Sequence, residues 1–204
     1  MAGRQEIERI ACIEIVRPQL ATLRRLTARD SYGALGGLLH DPRIEHVVGD
    51  GRAFLMRARQ TYDIIEADAL RPTSAYAGNL YSEEYFQLVR ARLRVNGLAA
   101  TWVPSARVHS TFTRVFPYVT GVPGILLGSS QPIVLDRPAL AARMADARVF
   151  EHYRRAGVDI EQLMAGYLAA APDEYGPEFD RTTLTDFNTD LFPRDEYDLA
   201  PVPR

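Results

Sequence analysis

An α/β fold built on a mainly parallel sheet is the fold class that this sequence predicts, and three observations predict it. Short apolar runs alternate with amphipathic stretches up to residue 104. The connections between successive runs are long enough to contain helices. Three of the runs end on or close to a carboxylate, at Glu14, Asp50 and Asp68. Alternation of strand and helix is the signature of parallel strands joined by crossover helices, and such strands read as continuous apolar runs because both of their faces are covered.

Taken in order, residues 9–15 read as a strand in which Ile10, Ala11, Cys12 and Ile13 run together, with Cys12 expected in the core as a small buried thiol. Pro18 opens a helix with Leu20, Leu23 and Leu26 at helical spacing, and Gly33, Gly36 and Gly37 are expected to break it. A second strand spans 44–48, followed by Gly49-Asp50-Gly51 and a helix over 52–59. Residues 62–68 form a third strand leading into a loop over 69–79. Tyr81, Tyr85, Leu88, Val89 and Leu93 then make a helical stripe, and residues 98–103 a further strand. Beyond Pro104 the pattern predicts a short helix over 108–115 and two edge strands at 124–128 and 132–135. One helix is expected from Asp136 to about 155, and another starts at Asp159. The Pro-rich last thirty residues are expected to wrap over the surface. Domain organisation follows as a main domain over 1–155 with a C-terminal helix and tail over 156–204.

Composition narrows the partners. A formal charge of −2, from 24 basic and 26 acidic residues, gives no net field to attract nucleic acid or an anionic membrane, so small molecules are the expected ligands. The single cysteine excludes an intramolecular disulfide and a multi-cysteine zinc site, and the four histidines show no i, i+4 ligand spacing. No stretch approaches the roughly 18 apolar residues of a membrane span, and the N-terminus lacks an apolar signal core, so a cytoplasmic location is expected, with a homodimer left open.

Ligands of open parallel sheets bind beyond the carboxyl ends of the strands. Here that edge would gather Glu14, Asp50 and Asp68, and a carboxylate at such a position can accept both hydroxyls of a ribose. Taken singly, an acid at a strand end is more often solvated or capping a helix. Tyr76 in the loop is either a mobile surface ring or part of a substrate pocket.

The run Asp41-Pro42-Arg43-Ile44-Glu45-His46-Val47-Val48-Gly49-Asp50-Gly51-Arg52-Ala53-Phe54-Leu55, with Tyr62-Asp63-Ile64-Ile65-Glu66-Ala67-Asp68 after it, resembles the spermidine synthase (polyamine aminopropyltransferase) family and its bacterial spermidine-synthase-like branch. Asn79-Leu80-Tyr81-Ser82-Glu83-Glu84-Tyr85-Phe86, Phe116-Pro117-Tyr118-Val119 and, near the C-terminus, Asn188-Thr189-Asp190 and Glu196-Tyr197 are similar to later segments of that family. The resemblance implies a Rossmann-like fold of the S-adenosylmethionine-dependent methyltransferase type. It also implies decarboxylated S-adenosylmethionine, or S-adenosylmethionine, as co-substrate, an amine or other small acceptor, and no metal. By position, Glu14 would hold the ribose hydroxyls, Asp50 the adenine amino group, Gly51 would lie beside the ring, and Asp68 would be the base. Three departures from the family are expected to bear on activity. The first strand with its glycine-rich loop and the small N-terminal β domain have no counterpart in residues 1–8. In addition, Arg71 stands where the family carries a second loop aspartate, so that a cation meets the acceptor. The alternatives are a class I methyltransferase, a noncatalytic remnant or binding protein of the same fold, or a chain whose start is misassigned.

Overall fold

The computed structural model describes residues 4, 6–29, 33–67 and 71–197. In chain order its elements are β1 (Ile10–Glu14), α1 (Arg17–Arg29), α2 (Gly33–His40), β2 (Ile44–Val48), α3 (Gly51–Arg57), β3 (Tyr62–Ala67), α4 (Glu83–Arg92), β4 (Leu93–Trp102), α5 (Ala106–Val115), β5 (Tyr118–Val122), β6 (Ile125–Ser129), α6 (Arg137–Met144), α7 (Ala147–Arg155), α8 (Ile160–Ala169), β7 (Asp173–Tyr175) and α9 (Arg194–Tyr197). The chain divides into two compact units, residues 1–54 with 135–169 and residues 55–134 with 170–204. Among the described residues no helix is long and apolar enough to cross a membrane.

In the first unit β1 and β2 pair in parallel, Ile10 opposite Ile44 and Glu14 opposite Val48. Cys12 is exposed rather than buried, which corrects the expectation of a core thiol. The reason is that among the described residues β1 has β2 as its one strand neighbour, so its covering is thin. The helix opened at Pro18 ends at Arg29, ahead of the glycines expected to break it, and Gly36 and Gly37 lie inside a second helix, α2, where the ring of His40 bonds the Gly36 carbonyl at 2.8 Å. The single helix expected over 136–155 is two, because Asp146 starts a new one by accepting the amides of Arg148 (2.9 Å) and Val149 (3.4 Å).

The second unit holds a five-stranded sheet in the order β3-β4-β6-β5-β7. The β3–β4 pair is parallel and the other three are antiparallel, so among the described residues parallel pairing is confined to β1–β2 and β3–β4 instead of prevailing. Its antiparallel half grows from a hairpin: β5 and β6 are joined at Pro123-Gly124, where Gly124 has φ 76°, a left-handed backbone that glycine adopts without strain. Tyr118–Val122 is a strand that the sequence pattern did not predict, and residues 132–135, expected as one, are not. Helices α4 and α5 cover the sheet. Tyr85, Phe86 and Val89 from α4, with Val108, Phe112 and Val115 from α5, pack with Ala99, Val119 and Leu126 of the strands. Each of these two helices is started by a serine, whose hydroxyl accepts the Tyr85 amide at Ser82 and the Val108 amide at Ser105.

Candidate functional site

The carboxyl edge of β1 and β2 brings three of the singled-out residues together. Glu14 ends β1, and its Oε1 accepts the Val16 amide at 2.6 Å while its carbonyl accepts from Gly49 at 2.9 Å, extending the ladder one step past β2. Asp50 is exposed, and its Oδ1 accepts the Ala53 amide at 2.7 Å, so it starts α3 as an N-cap. Asp50 keeps acceptor capacity beyond this backbone bond, since an ionised carboxyl offers about four lone-pair positions, whereas Glu14 also faces the Gln19 side-chain amide, whose nitrogen, with the amide's O and N exchanged, lies 2.7 Å from Oε2 and 3.1 Å from Oε1. Gly51 follows as the first residue of α3, and a side chain there would meet nothing within 4 Å. The absence of a side chain at Gly51 thus leaves open surface beside two acids rather than relieving a contact in the fold.

The second group lies on the loop after β3. Asp68 directly follows that strand in sequence but falls outside the described residues. Arg71 is exposed and makes no ion pair among the described residues; its carbonyl accepts the Ser74 amide at 2.8 Å. Glu83, which could have neutralised it, lies 3.5 Å from Arg114 instead. Tyr76 has φ 65° and its ring is 85% exposed. A left-handed backbone at a non-glycine residue costs on the order of 1–3 kcal/mol and persists where its surroundings impose it. Here the C-terminal tail imposes it: the Glu196 carboxylate accepts the amide of Tyr76 at 2.6 Å through Oε1 and that of Gly78 at 3.3 Å through Oε2.

That tail, most of whose residues are exposed or half-buried, is anchored by buried polar groups that its composition did not predict. Asn188 is fully buried and Asp195 is 5% exposed. Asp195 accepts from Ser105 Oγ (2.9 Å), Arg107 Nη1 (2.8 Å) and Asn188 Nδ2 (2.8 Å), while its own amide donates to Asn188 Oδ1 at 3.1 Å. Asp190 accepts from Ser82 Oγ at 2.6 Å. Arg107 also pairs with Asp186, whose carboxyl is held below the usual carboxylate range, first by that hydrogen bond. The signal for this network was present in the similarity of Asn188-Thr189-Asp190 and Glu196-Tyr197 to a family tail, but polar, Pro-rich composition hides burial. Arg107, Phe192, Arg194 and Tyr197 line a cavity of about 360 Å³ beside it. No group of three or more His, Cys, Asp or Glu among the described residues is placed to hold a metal ion.

Residues 7–113, just over half of the chain, match the spermine/spermidine synthase domain. A polyamine aminopropyltransferase of Korarchaeum cryptofilum is 33% identical over 82 residues, which is 40% of this chain and 25% of that protein. Putrescine N-methyltransferase 4 of Nicotiana tabacum is 30% identical over 130 residues, 53% of this chain and 33% of that protein. A solved spermidine synthase in complex with the transition state analogue AdoDATO aligns with a TM-score of 0.56 at 18% identity, covering 83% of this chain and 60% of its own. The fold is accordingly an α/β, Rossmann-like one, and the chain spans a quarter to a third of the length of these two curated relatives. It belongs to the spermine/spermidine synthase domain family.

Proposed function

We propose that this chain binds a nucleoside derived from S-adenosylmethionine along the edge of β1 and β2, and that it belongs to an enzyme transferring an aminopropyl group to an amine or other small acceptor. The observation that carries the reading is that Glu14 ends β1 and Asp50 follows β2 at the same edge of two parallel strands, with Asp50 holding spare acceptor capacity, Glu14 a carboxylate that already engages an amide, and Gly51 open surface. A ribose diol donates two hydrogen bonds and suits Glu14; an exocyclic amino group suits Asp50; a flat ring needs the bare backbone of Gly51. In the reaction the acceptor nitrogen attacks the methylene next to the sulfonium. The carbon–nitrogen bond forms as the carbon–sulfur bond breaks, methylthioadenosine leaves with the sulfur electron pair, and Asp68 takes the proton from the amine. A base is required because an ammonium has no free pair with which to attack.

Calorimetric titration with methylthioadenosine tests the site. Each of Glu14→Gln and Asp50→Asn removes a charged partner of a hydrogen bond, worth about 1.5–3 kcal/mol, so each is expected to weaken binding roughly tenfold or more. Equal affinity in parent and variants would overturn the assignment. A second reading, transfer of a methyl group, is supported by the similarity to the putrescine N-methyltransferase. Supplying S-adenosylmethionine and its decarboxylated form side by side separates the two.

A further inference from the structure

The strained turn at Tyr76 is held by a residue 120 positions away in sequence, and its ring packs on almost nothing. Folding alone gives no reason for this combination. A tyrosine that is 85% exposed gains little from burial, and a glycine would adopt φ 65° without strain. The tail sits directly on the loop backbone: a side chain at Gly78 would come within 2.5 Å of Pro193 Cβ and 2.6 Å of Glu196 Oε2. The clamp is also rigidly based, because the preceding residue, Asp195, is fixed by Ser105, Arg107 and Asn188. Farther along, Asp190 grips Ser82, and the Asp190 amide donates to Glu84 at 2.9 Å, so the tail holds the loop beyond its far end as well.

We propose that Glu196 is a positioning residue for the acceptor: its carboxylate ties down the Tyr76 and Gly78 amides and so presents the Tyr76 ring as a face on which an amine acceptor rests. An ammonium is attracted to an aromatic face within about 6 Å of its centroid, and a carboxylate accepting two amides fixes the direction of the loop that carries the ring. The proposal rests on the aminopropyltransferase reading, and its test has one arm that does not.

The independent arm is amide hydrogen exchange across residues 72–80 in the 204-residue chain. Glu196→Ala should speed exchange at Tyr76 and Gly78 at least tenfold and leave Phe112 in the core unchanged. Glu196→Gln, which keeps one accepting oxygen, should fall between the parent and Glu196→Ala. In the kinetic arm Glu196→Ala should raise KM for the acceptor about tenfold with kcat within about twofold. Tyr76→Gly should raise the same KM while thermal stability stays level or increases. Unchanged exchange in Glu196→Ala, a fall in kcat at constant KM, or a Tyr76→Gly variant with parental KM would each overturn the proposal. Absence of transfer in every protein, parent included, would sink the transferase reading, and the clamp would then stand or fall on exchange.

Discussion

Removing the Asp195 carboxylate should unfold the base of the tail, and the size of the loss can be worked from its bonds. Asp195→Ala deprives three donors of an acceptor at once. Asn188 is fully buried, so its amide nitrogen has no water to turn to. A buried donor left unmade costs about 1–3 kcal/mol. Arg107 keeps Asp186 at 2.8 Å through Nε, which limits its share, and Ser105 is partly solvated and still accepts from Val108. Breaking a buried pair from one side typically costs about 3–5 kcal/mol; with these two mitigations we expect about 3 kcal/mol, a factor of about 150 in the folding equilibrium.

Urea unfolding followed by the fluorescence of Trp102 is the assay. Trp102 is the single tryptophan and lies in the same unit, with its Nε1 donating to Tyr81 Oη at 2.6 Å. At a slope of about 2 kcal/mol/M the midpoint should fall by about 1.5 M. Asp195→Asn separates charge from shape. An asparagine can keep its oxygen toward Ser105 and Asn188, but its NH2 then meets the Arg107 guanidinium, so a smaller loss of about 1–2 kcal/mol is expected. A loss below about 0.5 kcal/mol in Asp195→Ala would show that the tail contributes nothing to the unit and would refute the reasoning.

Two further outcomes follow from charge. Arg43, first through hydrogen bonds from its guanidinium and then through one from its backbone amide, holds the Asp41 carboxyl at about 2, below its ordinary 3.8. A depressed carboxyl contributes stability that is complete above the unfolded value and is lost as pH falls through the folded one. The stability difference between the parent and Asp41→Asn, measured by denaturation at a series of pH values, should therefore be constant above about pH 5 and shrink between about 4 and 2; a difference that is flat across that window would contradict it. In the loop after β3, Arg71→Asp should raise transfer to putrescine, because two unit charges about 4 Å apart repel by roughly 4 kcal/mol at an effective dielectric of 20, and adding Asp68→Asn should abolish the gain. Efficient transfer to putrescine by the parent would show that Arg71 does not act on the acceptor.

How far the sequence could be read depends on what each segment packs against. The segments around Ile10, Ile44 and Ile64 were legible as strands because short apolar-rich stretches bounded by turn residues or carboxylates have few other uses in a soluble chain. The starts of α4 and α7 depend on single side chains, Ser82 and Asp146, and the Asp146 start was missed because the apolar pattern continues across it. Tyr118–Val122 was illegible for another reason. Its residues Thr120 and Gly121 are poor in apolar character, and the strand exists through its neighbours, β6 on one side and β7 on the other. Of the site, the acids that end β1 and follow β2 could be read from local pattern, since strand and carboxylate are adjacent in the chain. Glu196 could not, because its partners Tyr76 and Gly78 are about 120 residues away and only the folded tail brings them within reach.

The composition of that tail is itself informative. An apolar anchor of similar volume would hold a segment to α5 at least as well as a buried acid does, because a carboxylate must first be stripped of water. What apolar packing does not supply is direction. Hydrophobic contact is indifferent to small sliding, whereas the three bonds accepted by Asp195, together with the one its amide donates to Asn188, are satisfied in one register only. Glu196 is the next residue, and its bond to Tyr76 is 2.6 Å long. A slip of one residue along the tail would move that carboxylate by about 4 Å and lose both loop amides. The buried polar base and the exposed clamp therefore act as one device: the first fixes register so that the second can hold a strained turn.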